Sequence, residues 1–174
     1  RWCKAAESRR ENRGTLDMAH EAESELQVRP VRFQDLDSIR QLISPLVQQG
    51  ILLPRTEGEL FELLPTSFVA WDGDQVVGFC ALEIYSIKLA EVRSLVVAPE
   101  YRARGVGRQL VSACVDLARR TRVLEVMAIT SNEAFFRTCG FDFTLPGEKK
   151  ALFIQTRDDP NQSAVDLEAD PESP

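Results

Sequence analysis

Apolar residues recur along this chain with two periods, one helical and one extended. Leu36, Ile39, Leu42, Ile43, Leu46 and Val47 make one face at helical spacing, which predicts a helix over 34–49. Asp35 or Asp37 can cap its start, Pro45 predicts a kink or a break into two helices, and Gly50 ends it. After the apolar loop 51–55, Thr56 caps a short helix over 57–64. The extended period appears first in 27–33, through Val28, Val31 and Phe33, where Pro30 marks an edge strand. Strands over 67–71 and 75–85 are joined by the turn Asp72-Gly73-Asp74. A long central strand, 87–98, runs antiparallel to the one before it. Val106, Leu110, Cys114 and Leu117 form the buried face of the next helix, which crosses over to a parallel strand at 123–130. A short helix over 132–139 stops at Gly140, and 141–144 with 151–156 form a last hairpin.

The sum is an α/β (α+β) domain over 26–157, with a mixed, mostly antiparallel sheet and helices on both faces. Residues 1–25 read as a mobile polar arm, with Met18 a candidate start within it, and 158–174 as a disordered acidic tail. Charge sharpens that division. The chain has 27 acids, 21 bases and a net charge of −6. The tail holds six acids and no Lys or Arg, so the body is neutral. Nothing in it suggests a nucleic-acid surface.

Four cysteines without a C-x-x-C pair, three of them inside apolar patterns, read as buried free thiols of a cytoplasmic protein. A single histidine, His20 in the leader, argues against a metal site and against a Ser-His or Cys-His pair. No apolar run is long enough to span a membrane.

The chemistry gathers between Glu91 and Leu117, EVRSLVVAPEYRARGVGRQLVSACVDL. An apolar strand, a Pro-Glu break and the loop Arg102-Ala103-Arg104-Gly105-Val106-Gly107 lead into a helix. Glycines admit close approach, and the first helical turn presents unpaired N–H groups and a positive dipole end to an anion. Three arginines, Arg102, Arg104 and Arg108, suit a pyrophosphate. The order R-x-x-G-x-G fits neither the dinucleotide fingerprint nor the P-loop.

This stretch, PEYRARGVG between strand and helix, resembles the acetyl-coenzyme A loop of the GNAT family of N-acetyltransferases, and the resemblance runs from about Gln27 to Arg157. It implies acetyl-CoA as cosubstrate. The backbone N–H groups around Gly105, Val106 and Gly107 would hold the pyrophosphate. Leu95, Val96 and Val97, on a strand splayed from its neighbour, would pair with the pantetheine arm. The tyrosine with which many members reprotonate the leaving thiolate is replaced by Phe136. Thr130, Ser131, Asn132 or water must then donate, or the thiolate leaves unassisted, which a thiol pKa of about 8.5 tolerates. Phe135 and Phe136 otherwise read as core beside the pantetheine arm.

Acyl transfer to an amine requires a proton acceptor, a polarised thioester carbonyl and alignment of the reactants. Glu91, at the start of the central strand, is the candidate base, although a lone strand-end Glu is more often a surface residue. A backbone N–H near Val96 is the candidate polarising donor. Arg55 and Arg157 are either solvated or, if they face the cleft, selective for carboxylates.

A narrower resemblance bears on this. LISPLVQQGILLPR, 42–55, and GEKK, 147–150, followed by Arg157, are similar to the acetyltransferase domain of the N-acetylglutamate synthases. That implies L-glutamate as the acceptor, gripped by Arg55 and Arg157 with a backbone contact at Leu53, and Glu91 as the base. The pattern departs at Asp159, where a serine is expected and where a carboxylate would repel glutamate. The long amino-acid-kinase-like domain of the common synthase is not part of the match, so no arginine feedback is expected of this chain. Other readings stay open: an acetyltransferase acting on a peptide N-terminus or another small amine, or a non-catalytic acetyl-CoA-binding module. Homodimerisation is also open.

Overall fold

A computed structural model describes residues 26–52, 54–144 and 154. Five strands form one sheet in sequential order: β1 (Gln27–Pro30), β2 (Ser67–Asp72), β3 (Gln75–Ser86), β4 (Leu89–Val97) and β5 (Glu125–Met127). All neighbours are antiparallel except β4 and β5, which are parallel and joined by the crossover helix α3 (Val106–Arg120). The mixed, mostly antiparallel sheet is therefore as the periodicity predicts, and β1 lies at its edge.

Helices cover both faces. Val106, Leu110, Val111, Cys114 and Ala118 of α3 pack on one face with Ala70, Val77, Cys80, Leu82 and Val92. Gly78 lets this helix sit close. A Cβ there would lie 2.9 Å from Leu110 Cδ1 and 3.1 Å from Val106 Cγ1. The other face meets α1 (Leu36–Gln48) and α2 (Glu57–Leu63), with Ile39, Leu63, Val69, Phe79 and Ala81 at the contact. Full burial of a side chain such as Phe79 or Ile39 stabilises by about 1.5–3 kcal/mol.

Local signals set most boundaries. Gly50, at φ +68°, closes α1: its N–H reaches the Val47 carbonyl, and that of Ile51 reaches Leu46 at 2.9 Å. Thr56 caps α2 and exchanges hydrogen bonds with Glu59. Gly73, at φ +56°, turns the β2–β3 hairpin.

Several expectations are corrected. The helix α1 runs through Pro45 to Gln48 as one element, without a break. The missing proline N–H forfeits one hydrogen bond, and the apolar face is continuous across it. Neither Asp35 nor Asp37 caps α1 through its side chain. Asp35 is buried and accepts from both terminal nitrogens of Arg29, at 2.7 and 2.8 Å, and from the Arg32 N–H at 2.7 Å. The first strand stops at Pro30 and gives way to a 3₁₀ turn at Phe33–Asp35. The strand β5 has three residues rather than eight, and 141–144 are not extended into a strand. The partner segment 151–156 of the expected hairpin, the arm 1–25 and the tail 158–174 lie outside the described residues.

Candidate active site

The strand β4 carries the site, and it is regular only at its start. Leu89, Ala90 and Glu91 pair with Glu125, Val126 and Met127 of β5, and the pairing ends there. From Val92 to Val97, β4 has no partner on that side among the described residues, so the two strands part as the resemblance implies. Val96 is buried, and Leu95 and Val97 are half-buried along this open edge. On the other side the register with β3 slips. Ala81 faces Arg93, but Phe79 faces Val96, so two steps of β3 are matched by three of β4. The extra residue is a β-bulge, and within it Ser94 adopts φ +53°.

Glu91 is not at a strand end. It is the third residue of β4, paired on both sides, and only 7% exposed. Its Oε2 accepts from the Tyr85 hydroxyl at 2.5 Å, and its Oε1 lies 3.9 Å from Arg93 Nε. Glu83 stands directly across from it on β3, a like-charge pair that would destabilise the sheet alone. Arg93 resolves the conflict by donating Nη1 to Glu83 while also facing Glu91. Burial and the hydrogen bond to Glu91 push the Tyr85 phenol up to about 12, so it stays a donor at neutral pH. Tyr85, Arg93, Ser94 and Glu83 were not among the expected site residues. The alternation Ala90-Glu91-Val92-Arg93 signals one polar face of β4, but not which groups pair across the strands.

The apolar loop after α1 brings Arg55 to the same strand, where its Nε donates to Ser94 Oγ at 3.1 Å. Arg55 and Ser94 line an open groove of about 300 Å³ with Ile43, Val47, Leu52 and Leu60. The half-buried C-terminal part of α1 thus becomes a groove wall. Arg40, on the rim, is already paired with Glu57 at 2.6 Å. Leu53 and Arg157 lie outside the described residues.

At the far end of β4 a 3₁₀ turn, Pro99–Tyr101, leads into the glycine loop. Ala103 and Gly105 take left-handed φ of +62° and +83° in the turn that precedes α3. Gly105 is the residue before the helix, and the first bond of α3 runs from Gln109 N–H to the Gly105 carbonyl. The N–H groups of Val106, Gly107 and Arg108 consequently have no acceptor within the helix. Arg102, Arg104 and Arg108 are exposed around them and make no ion pair among the described residues. Tyr101 anchors the loop. Its hydroxyl donates to Asp72 Oδ2 at 2.7 Å, and Arg104 lies over its ring at 5.0 Å.

The helix α4 (Glu133–Thr138) lies beside the start of α3, with Phe135 next to Gly107. Asn132 Oδ1 accepts from the Phe135 N–H, and Thr130 Oγ1 accepts from the Asn132 N–H, so two of the three candidate side-chain donors build the turn that starts α4. Phe136 is core, edge-on to Phe135 and Phe141. Phe135 reaches over the loop. A Cβ on Gly107 would lie 3.2 Å from its Cζ, so this glycine serves helix–helix approach as well as the open N-terminus.

Along one strand lie a helix start with unpaired N–H groups among three arginines, a free strand edge, a buried carboxylate and a largely apolar groove that holds Arg55. Residues 65–142 match the acetyltransferase (GNAT) domain. An uncharacterized N-acetyltransferase of Chlorobaculum tepidum is 37% identical over 114 residues, covering 66% of this chain and 74% of that protein. The chain belongs to the GNAT acetyltransferases. Acetyl-CoA-dependent N-acetyl transfer is the activity that membership carries. An amino-acid acetyltransferase of Aeromonas salmonicida is 31% identical over 138 residues, 75% of this chain and 31% of that one. Among solved structures, the N-acetylglutamate synthase of Neisseria gonorrhoeae in complex with coenzyme A and N-acetyl-glutamate superposes with a TM-score of 0.59 at 26% identity, over 67% of this chain and 28% of that one. This GNAT chain thus spans about a third of the length of the latter two. No helix of the described residues is long and apolar enough to cross a membrane.

Proposed function

We propose that this GNAT domain transfers acetyl from acetyl-CoA to the α-amine of a small acidic amino acid, with L-glutamate foremost. The amine nitrogen attacks the thioester carbonyl, its proton passes to Glu91 directly or through water, and the C–S bond breaks to release the thiolate. The N–H groups of Val106, Gly107 and Arg108, with Gly105 and the three loop arginines, hold the pyrophosphate. The free edge of Leu95–Val97 receives the pantetheine arm, and a backbone N–H of that edge near Val96 polarises the carbonyl. Arg55 takes a carboxylate of the acceptor, and Leu53 and Arg157 complete that grip. Thr130, Ser131, Asn132 or water returns a proton to the thiolate, or none is needed.

The observation that carries this reading is the link from Arg55 to Ser94, three residues from Glu91 on one strand. It sets a guanidinium beside the strand that bears the base. The names of the amino-acid acetyltransferase and N-acetylglutamate synthase relatives support the same class of acceptor. Thiol release from acetyl-CoA, measured over a panel of amino acids, tests it. Glutamate and aspartate are expected to turn over faster than leucine, glutamine or lysine, and equal rates across the panel would refute an acidic acceptor. Arg55→Lys keeps the charge but loses the planar fork, so the KM for glutamate should rise about 10- to 100-fold at the cost of one or two charge-assisted hydrogen bonds.

A further inference from the structure

We infer that Ser94 is a specificity-positioning residue: its hydroxyl occupies Arg55 Nε and so commits that guanidinium to grip the acceptor's carboxylate end-on, through its two terminal nitrogens. This rests on the acidic-acceptor reading above and adds to it the direction of approach.

Three observations converge on Ser94. It sits inside the bulge where β4 gains a residue against β3. Its φ of +53° is a backbone state that suits glycine and strains other residues, so a side chain is kept there against conformational preference. That side chain lines the groove and accepts from Arg55 Nε at 3.1 Å. In a regular strand the side chains at 93 and 94 would point to opposite faces. The bulge relaxes that rule, so Arg93 pairs with Glu83 while Ser94 meets Arg55.

A guanidinium can fork a carboxylate in two ways, through Nε and one terminal nitrogen or through both terminal nitrogens. With Nε–H already donated to a hydroxyl, the side-on mode is taken and the end-on mode remains. The hydroxyl also removes rotamer freedom that Arg55 would otherwise lose on binding, which is preorganisation of the site.

Ser94→Gly separates this role from a structural one, because glycine relieves the left-handed strain while deleting the hydroxyl. The melting temperature should hold or rise. The KM for glutamate should rise about tenfold, the loss expected for one hydrogen bond to a charged group. The kcat and the KM for acetyl-CoA should stay within about twofold. In the double variant with Arg55→Lys, the KM should exceed that of Arg55→Lys alone by much less than tenfold, since both changes act through one group. If Arg55→Lys raises the KM and Ser94→Gly does not, or if their effects multiply fully, the positioning role is overturned while the acidic-acceptor reading stands. If Arg55→Lys does not raise it, Arg55 does not grip the acceptor and the positioning role is overturned, while the amino-acid panel above separately decides whether the acceptor is acidic.

Discussion

Glu91→Gln removes one negative charge from the middle of β4 with little change in shape. The amide oxygen can still accept from the Tyr85 hydroxyl, now 2.5 Å from Oε2. Two electrostatic changes oppose one another. The attraction to Arg93 Nε at 3.9 Å is about 4 kcal/mol at an effective dielectric of about 20. The repulsion from Glu83, directly opposite on β3, also disappears and offsets part of that loss. Arg93 keeps its Glu83 partner, so no charge is left unpaired. The net change in stability should be within about 1 kcal/mol, or roughly 2–4 °C in melting temperature. Activity should respond very differently. Without a proton acceptor the attacking amine loses general-base help, worth ~10²- to 10⁴-fold in rate, or about 3–5 kcal/mol on the barrier. Initial rates of thiol release at saturating acetyl-CoA, paired with a thermal melt, measure both quantities. The residual rate should climb with pH as more acceptor arrives already deprotonated. A native melt with kcat reduced less than about fivefold would show that Glu91 is not the base.

Two further changes probe the scaffold that holds the site. Gly78→Ala puts a Cβ 2.9 Å from Leu110 Cδ1 and 3.1 Å from Val106 Cγ1, so these side chains, or α3 with them, must shift. A loss of ~1–3 kcal/mol is expected from such overpacking, together with weaker coenzyme A binding by calorimetry; unchanged binding and an unchanged melt would refute the close approach. The Arg29 guanidinium, reinforced by the Arg32 N–H, holds the buried Asp35 carboxyl below the usual carboxylate range. A carboxyl whose pKa falls on folding contributes stability above its unfolded value near 4 and loses it as pH drops through the folded value. Asp35→Asn should cost about 2–3 kcal/mol at pH 7, at the low end for breaking a buried pair because Arg29 stays a fifth exposed. That deficit should shrink below pH 4, and a constant deficit from pH 7 to 3 in denaturant melts would rule out the charge pair.

Much of the architecture was legible from neighbours close in the chain. The helical faces of α1 and α3, the caps at Thr56 and Gly50, the Asp-Gly-Asp turn and the arginine-rich glycine loop each depend on residues within about four positions. The helix start at Val106 and its free N–H groups follow from such local rules. Where the local signal was ambiguous, the sequence misled. Asp35 has the composition of a helix cap, yet its carboxylate is taken by Arg29, six residues earlier, once β1 and the 3₁₀ turn bring them together. Pro45 has the composition of a breaker, yet the apolar face on both sides of it holds α1 continuous.

Sequence alone determined the order of elements and which glycine loop opens a helix with unpaired N–H groups among three arginines, because both arise from spacing along one stretch of chain. The tertiary structure decided which side chains meet at the reacting end. Tyr85 reaches Glu91 only through a hairpin, Arg55 reaches Ser94 across 39 residues, and Gly78 matters only because α3 lies over it. Such meetings depend on strand register, and a single extra residue in β4 resets which side chains share a face.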